Sequence, residues 1–286
     1  MKVIARPQNE NIKRVNEIYQ VLKKNYFGYL IEENNFFQKF PGVRNRIIKK
    51  EEETAEESVP VRIRKVFEEL GPAYIKLGQM LSTRPDLIGV ETAEELESLR
   101  DNTPITPFNE IKEVIESELE QPIDEIFSEI DESPIGSASI GQVYTARLKE
   151  NGEYVAVKVQ KPNSYEIVKS DVEIMKFLAT RIDKYIHQTQ TYNLPAVVKE
   201  FERSIFKELN YLDEVMNMQN LSKNFRGIHY VKIPKAYTDY CTSKVIVREL
   251  IKGITVTDLI KGEYPQINKK KIAKYGVKSY FKQIMT

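Results

Sequence analysis

A single cysteine, Cys241, and no tryptophan occur in 286 residues. One thiol closes no intrachain disulfide, so a reducing compartment is the natural reading. Histidine is almost as scarce, with His187 and His229 alone. A thiol nucleophile wants a histidine partner, and a structural zinc site wants about four Cys or His ligands. Supply alone therefore disfavours both. Cys241 lies in a Tyr-Cys-Thr-Ser turn between two strand-like runs and reads as an incidental turn residue. Charge of one sign is also missing: Lys plus Arg number 43, Asp plus Glu 42, for a net +1. A nucleic-acid binder shows a basic excess or stripe, and the short run Lys269-Lys270-Lys271 is no substitute, so no nucleic-acid partner is expected. No apolar run approaches the ~20 residues needed to span a bilayer, and Met1–Glu10 lacks the apolar core of a signal peptide. The expectation is a cytoplasmic chain, soluble or peripheral at a membrane surface, with no transmembrane segment.

What remains is ordinary globular material, 41% hydrophobic and 30% charged, long enough for about two domains. Ile12, Val15, Ile18, Tyr19, Leu22, Tyr26, Phe27, Leu30 and Ile31 recur at helical spacing and predict one or two amphipathic helices between Ile12 and Gln38. The charged stretch Lys49–Glu57 reads as a solvated linker or helix face. Ser58 and Pro60 open a helix whose face carries Ile63, Val66, Phe67 and Leu70. Gly71-Pro72 ends it and begins the next, the glycine suiting a left-handed cap and the proline a first turn. Short helices are expected at Thr92–Arg100 and Pro107–Leu119.

Near Ile123 the pattern changes. Phe127–Asp131, Val143–Leu148 and Tyr154–Gln160 read as antiparallel strands, the last two joined at the hairpin signal Asn151-Gly152. Long helical patterns follow at Ser164–Tyr185 and Pro195–Phe225. Strand-like runs come next at Tyr230–Tyr237 and Lys244–Leu250, then a helix from Asn268 to Met285. The fold class is α+β. A helical extension is expected over 1–122, a five-stranded antiparallel lobe with helices over 123–250, and the beginning of a helical second lobe over 251–286. Five strands with a helix after the third is the pattern of a kinase amino-terminal lobe.

The loop between the first two strands holds the first candidate chemistry. Gly136, Ala138, Gly141 and Val143 fall on the G-x-G-x-x-G-x-V pattern of a kinase Gly-rich loop, with alanine in place of the middle glycine. Small residues there let backbone N–H groups approach phosphate oxygens. Alone this is weak, because small residues in a hairpin are most often just a turn. Val155-Ala156-Val157-Lys158 then stands where kinases place V-A-I-K. Alternation puts Lys158 on one strand face with Ala156, so that Ala156 can sit over an adenine ring while the ammonium reaches phosphates. A third element is Glu214 on the following helix, the acidic partner such a lysine needs. Taken alone, Glu208, Asp213 and Glu214 would read as a solvated face.

With loop, lysine and glutamate in order, the chain resembles the UbiB/AarF family of atypical kinase-like proteins. The segments that carry the resemblance are Pro134-Ile-Gly-Ser-Ala-Ser-Ile-Gly-Gln-Val-Tyr144 and Leu70-Gly-Pro-Ala-Tyr-Ile-Lys-Leu-Gly-Gln-Met-Leu-Ser-Thr-Arg-Pro-Asp-Leu87. The second contains the family's K-x-G-Q signature as Lys76, Gly78 and Gln79. The resemblance implies that Lys76 and Gln79 lie on an extension folded over a nucleotide pocket. It implies that Gly136, Ser137, Ala138, Ser139 and Gly141 form the nucleotide loop, and that Lys158 binds phosphates and pairs with Glu214. Glu249 and Leu250 would belong to the hinge that bonds adenine through its backbone, and Glu208 would begin an E-x-D motif. Asn210 stands at the third position of that motif, where an amide cannot supply the negative charge. Gly136-Ser137 stands where many members have two alanines.

The implied cofactors are ATP and Mg²⁺. The implied activity is that of an ATPase or phosphotransferase supporting isoprenoid-quinone or lipid metabolism, with an isoprenoid-lipid or quinone-precursor substrate at a membrane surface. The catalytic-loop Asp and Asn and the metal-binding Asp of kinases have no counterpart after Leu250. They are expected beyond the final helix, so no catalytic residue and no metal ligand is assigned within this chain. Two rivals stay open: a nucleotide-binding regulatory module without turnover, which Asn210 favours, and a scaffold that docks a membrane or partner.

Overall fold

The computed structural model describes residues 9–27, 57–99, 105–185 and 193–285. The expected linker at Lys49–Glu56 and the helical pattern beyond Phe27 lie outside them. The described residues form two compact units. One is drawn from Met1–Ile105, Ser137–Ile140 and Asn163–Phe206, the other from Thr106–Gly136, Gly141–Pro162 and Lys207–Thr286. Thr106–Gly136 is grouped with the sheet, and the residues from Asn163 to Phe206 with the helices.

The helical unit contains α1 (Asn9–Lys24), α2 (Val59–Leu70), α3 (Pro72–Ser82), α4 (Pro85–Ile88) and α5 (Val90–Leu96). Ile75, Leu96 and Leu99 form its buried centre, with Ile63, Phe67, Leu81 and Ile88 packed around them. Gly71 joins α2 to α3 at φ +91° and ψ −156°. This positive-φ backbone favours glycine, but its ψ lies outside the left-handed helical region expected of a cap. Pro72 then opens α3, where a missing N–H costs nothing. The long helix α8 (Ser164–Tyr185) is anchored to α1 by a bidentate pair. Arg14 Nε lies 2.6 Å from Asp171 Oδ1, and Arg14 Nη2 lies 3.0 Å from Oδ2. The same guanidinium donates to the Leu70 carbonyl at the end of α2. Asp171 is fully buried, and burial pushes its carboxyl up against the pull of Arg14.

The second unit is built on a five-stranded antiparallel sheet. Its strands are β1 (Phe127–Ile130), β2 (Gly136–Ser137), β3 (Gly141–Leu148), β4 (Tyr154–Gln160) and β5 (Val245–Glu249). The order is β1-β3-β4-β5, with β2 paired to β3. Alternation divides the faces. Tyr144, Ala146, Leu148, Val155, Val157, Val159, Val245 and Val247 point to one side. There they bury Ile111 and Ile115 of α6 (Phe108–Leu119) and Ile123 and Ile126 of α7 (Ile123–Ile126). The opposite face carries Val143, Thr145, Ala156, Lys158 and Ile246.

Two expectations are corrected. The run Tyr230–Tyr237 is not a strand. Its β-bridge to β5 is the isolated pair Ala236–Arg248, flanked by Tyr237 N–H donating to Val247 and Glu249 N–H donating to Lys235. Pro234 has no N–H to extend a ladder, and the two-residue β2 is the fifth strand instead. The hairpin expected at Asn151-Gly152 joins β3 to β4. Leu148 N–H donates to Glu153 and Gly152 N–H to Leu148, with positive φ at Gly152 alone of the pair.

The pattern from Pro195 to Phe225 is two helices, α9 (Leu194–Glu208) and α10 (Tyr211–Asn224). The break at Leu209-Asn210 is held from outside the segment. Buried Gln160 donates through Nε2 to the carbonyls of Leu209 and Ser243, and Tyr211 N–H donates to Ser243 at 3.0 Å. The chain ends in α11 (Val256–Lys261) and α12 (Lys269–Met285). Among the described residues no helix is long and apolar enough to cross a membrane.

Candidate functional site

The polar side of the sheet brings the candidate residues together by register. Val143 lies opposite Lys158, and Thr145 opposite Ala156. On the other flank Lys158 lies opposite Ile246 and Ala156 opposite Arg248. Val143, Ala156 and Lys158 therefore occupy one patch of one face. The period of two had already placed Ala156 with Lys158; the pairing of β3 with β4 adds Val143.

Helix α10 covers this face. Tyr211, Val215 and Met218 are buried along one stripe and pack on Ile246. Tyr211, Glu214, Val215 and Met218 recur at helical spacing on that stripe. Glu214 thus meets the lysine, with Lys158 Nζ at 2.6 Å from Glu214 Oε2. The lysine side chain is 25% exposed and the glutamate 36%, so the pair stands at the edge of water.

Tyr211 is the residue that sequence reasoning passed over. It is 1% exposed, and the Lys158 ammonium stands over its ring, 4.5 Å from the centroid. Its hydroxyl is buried and has no hydrogen-bond partner. Burial pushes the phenol pKa up, and the Glu214 and Glu208 carboxylates add to the rise, so the group stays neutral. The available signal was its position three residues before Glu214, which places both on one helix face.

The same tyrosine gives a reason for Gly141. A Cβ on Gly141 would lie 2.3 Å from the Tyr211 hydroxyl oxygen and 2.9 Å from the Val159 carbonyl. The glycine is therefore required by the protein's own packing. Gly136, at the other end of the loop, has open space where a Cβ would go. Between them, the hydroxyls of Ser137 and Ser139 are buried without hydrogen-bond partners. Unpaired buried hydroxyls are costly, and they are donors of the kind a phosphate oxygen accepts.

The remaining residues are placed as follows. Glu249 N–H donates to Lys235, and Leu250 N–H donates to Tyr154. Both amides of the expected hinge are thus engaged within the protein. The Glu249 side chain pairs with Lys232 at 2.8 Å, and that bond holds its carboxyl below the usual range. Glu208 is exposed at the last position of α9, and Asn210 is the N-cap of α10 without a side-chain cap bond. The two flank a helix break and do not share a helix face.

Lys76, Gly78 and Gln79 lie on α3 of the helical unit. Gly78 is there for close approach, since a Cβ would lie 2.3 Å from Leu99 Cδ1 and 2.6 Å from Phe67 Cδ2. The Gln79 amide donates to the Leu99 carbonyl at 2.7 Å. Two of the three signature residues thus bind the segment after α5 to α3.

Comparison with known proteins gives a consistent picture. The ABC1 atypical kinase-like domain matches residues 98–286. A probable protein kinase UbiB of Aeromonas salmonicida is 35% identical over 96% of this chain and 50% of its own length. That of Aeromonas hydrophila is 40% identical over 78% of this chain and 41% of its own. An uncharacterized chloroplastic aarF domain-containing protein kinase of Arabidopsis thaliana is 42% identical over 78% of this chain and 31% of its own. The chain spans half or less of the length of these relatives. Among solved structures, a complex of Rv3197 with erythromycin from Mycobacterium tuberculosis matches at a TM-score of 0.48. It shares 27% identity and covers 68% of this chain and 49% of that one.

Proposed function

This chain belongs to the ABC1 atypical kinase-like family, and from that premise we propose that its sheet unit binds ATP with magnesium. The observation that carries the reading is the Lys158–Glu214 pair at 2.6 Å, on the strand face shared with Ala156 and Val143. In kinase-type sites a lysine so paired is held ready for phosphate oxygens, and a small residue beside it leaves room for a base. The residues present suit a nucleotide. Lys158 supplies the positive charge, and Ala156 and Val143 an apolar patch on the same strand face. Adenine contact falls to the carbonyls at Glu249 and Leu250 or to the residues that follow, because both amides are engaged.

Bound Mg-ATP supplies a transferable phosphoryl group. The part played by this chain is to bind and orient it. In the complete protein the activity is that of an ATPase or a phosphotransferase acting on a small or lipid-related molecule, in support of quinone or lipid metabolism. The names of the UbiB relatives and the resemblance of the loop and the K-x-G-Q segment support that assignment. A second reading, a nucleotide-binding regulatory module without turnover, draws on Asn210, whose amide replaces a carboxylate.

The test is thermal unfolding with and without Mg-ADP. Ligand at ~100 times its dissociation constant stabilises the folded state by about 2.7 kcal/mol. A rise in Tm that disappears in Lys158→Ala supports the reading, and a wild-type chain that shows no rise at saturating nucleotide rejects it.

A further inference from the structure

We propose that Tyr211 is a positioning residue for Lys158, ring and hydroxyl each setting one side of the nucleotide site. This inference rests on the reading of that site given above. Three observations meet at the one side chain. The Lys158 ammonium stands 4.5 Å from the centre of its ring, while Glu214 holds the same ammonium at 2.6 Å. The Tyr211 hydroxyl fills the space that a Cβ on Gly141 would need, 2.3 Å away. That hydroxyl is buried and has no hydrogen-bond partner.

The two contacts on Lys158 differ in kind. Glu214 is a carboxylate, 36% exposed, that draws the ammonium towards itself. The Tyr211 ring is buried, and its negative face attracts a cation from the direction in which the helix presents it. With both, the ammonium has a defined place from which a phosphate can be reached. With Glu214 alone it is free to follow the carboxylate. The hydroxyl does separate work, as a spacer against the residue where the loop rejoins β3. Ring and hydroxyl belong to one rigid body, so the loop end and the lysine share a common reference. That body is itself held in place, because the Tyr211 N–H donates to Ser243 and Gln160 holds both Leu209 and Ser243.

The roles separate by substitution. Tyr211→Leu removes the ring, and Tyr211→Phe keeps it while removing the hydroxyl. Calorimetric titration of the 286-residue chain with Mg-ADP is expected to show about tenfold weaker binding for Tyr211→Leu. Recovery of most of that loss in Tyr211→Phe is expected, since the ring is what holds the cation. A structural role alone would lower Tm in Tyr211→Leu without changing the affinity of the folded fraction. Equal affinity in wild type and Tyr211→Leu overturns the proposal while leaving the nucleotide site intact. A wild type that binds no Mg-ADP removes both together, which separates the two failures.

Should Tyr211→Leu not fold, the loop end provides a second arm. Gly141→Ala drives a Cβ onto the hydroxyl and is expected to weaken Mg-ADP binding. Adding Tyr211→Phe leaves that Cβ 3.6 Å from the ring carbon and is expected to restore part of the affinity. The restoration is partial because the Val159 carbonyl at 2.9 Å remains in the way. Gly141→Ala binding equally weakly with tyrosine or phenylalanine at 211 overturns the link between loop and lysine.

Discussion

Lys158 and Glu214 stand 2.6 Å apart, although 56 residues of chain separate them. Neither side chain is deeply buried, and exposed ion pairs contribute only about 0.2–1 kcal/mol to stability. The pair therefore adds little to the fold, and its proposed part is in the nucleotide site. Lys158→Ala and Glu214→Ala are each expected to change unfolding free energy by less than about 1 kcal/mol, while both abolish or sharply reduce the Tm rise given by Mg-ADP. Large losses of stability with the nucleotide response retained would make the pair structural.

Gly78 sits where α3 is approached by Leu99 and Phe67, and a Cβ there would come within 2.3 Å of one and 2.6 Å of the other. Overpacking of this kind costs about 1–3 kcal/mol. Gly78→Ala is expected to lower the urea midpoint accordingly. The double variant Gly78→Ala, Leu99→Ala is expected to lose less than the sum of the two single changes, because the truncated side chain makes room. Strict additivity would mean that the glycine is needed for something other than the approach of Leu99.

Gln160 is 2% exposed and holds the carbonyls of Leu209 and Ser243 through one amide nitrogen. Gln160→Leu keeps the volume but leaves both carbonyls without that donor. Stranding buried polar groups costs about 1–3 kcal/mol. The expected outcome is a loss of that order in chemical unfolding, together with weaker Mg-ADP binding, since the start of α10 carries Tyr211 and Glu214. A stability loss with unchanged nucleotide affinity would show that packing on Ile246 and the Tyr211 N–H bond to Ser243 suffice to place α10.

Glu118 supplies the pH dependence. Burial works against its ionisation, but hydrogen bonds from Lys244 and Thr242, each 2.8 Å, outweigh it and hold the carboxyl below the usual range. A group whose folded pKa is depressed binds fewer protons folded than unfolded. Its contribution is present above the unfolded carboxylate pKa of about 4.3 and is lost as pH falls through the lower folded value. Glu118→Gln is therefore expected to be less stable than wild type at neutral pH, with the difference shrinking below pH about 4. Urea midpoints across that range provide the check, and a difference independent of pH would contradict it.

Much of the site was legible because its signals are local. Strand β4 was read from Tyr154 to Gln160, the bounds it has in the structure, because β-branched residues alternate there and Asn151-Gly152 precedes it. Lys158 was singled out by its V-A-V-K context, and α8 and α12 by helical spacing. The misreadings have separate causes. Pro195–Phe225 carries an uninterrupted helical pattern, and the break at Leu209-Asn210 is made by Gln160 and Ser243, from other parts of the chain. Tyr230–Tyr237 has strand-like composition, yet Pro234 and a single bridge to Arg248 deny it a ladder. Gly141 was read as a residue kept small for a ligand, and the group that first needs the space is the Tyr211 hydroxyl.

By itself the sequence determined the order and type of most elements, the face of β4 that carries Lys158, and the family. These depend on near neighbours and on periodicity, which one strand or helix displays alone. The tertiary structure decided where α9 ends and α10 begins, which residues Gly78 and Gly141 make room for, and that Tyr211 stands beneath Lys158. Those outcomes depend on atoms brought to within a few ångströms by register and packing, and no local pattern encodes what another segment will press against it.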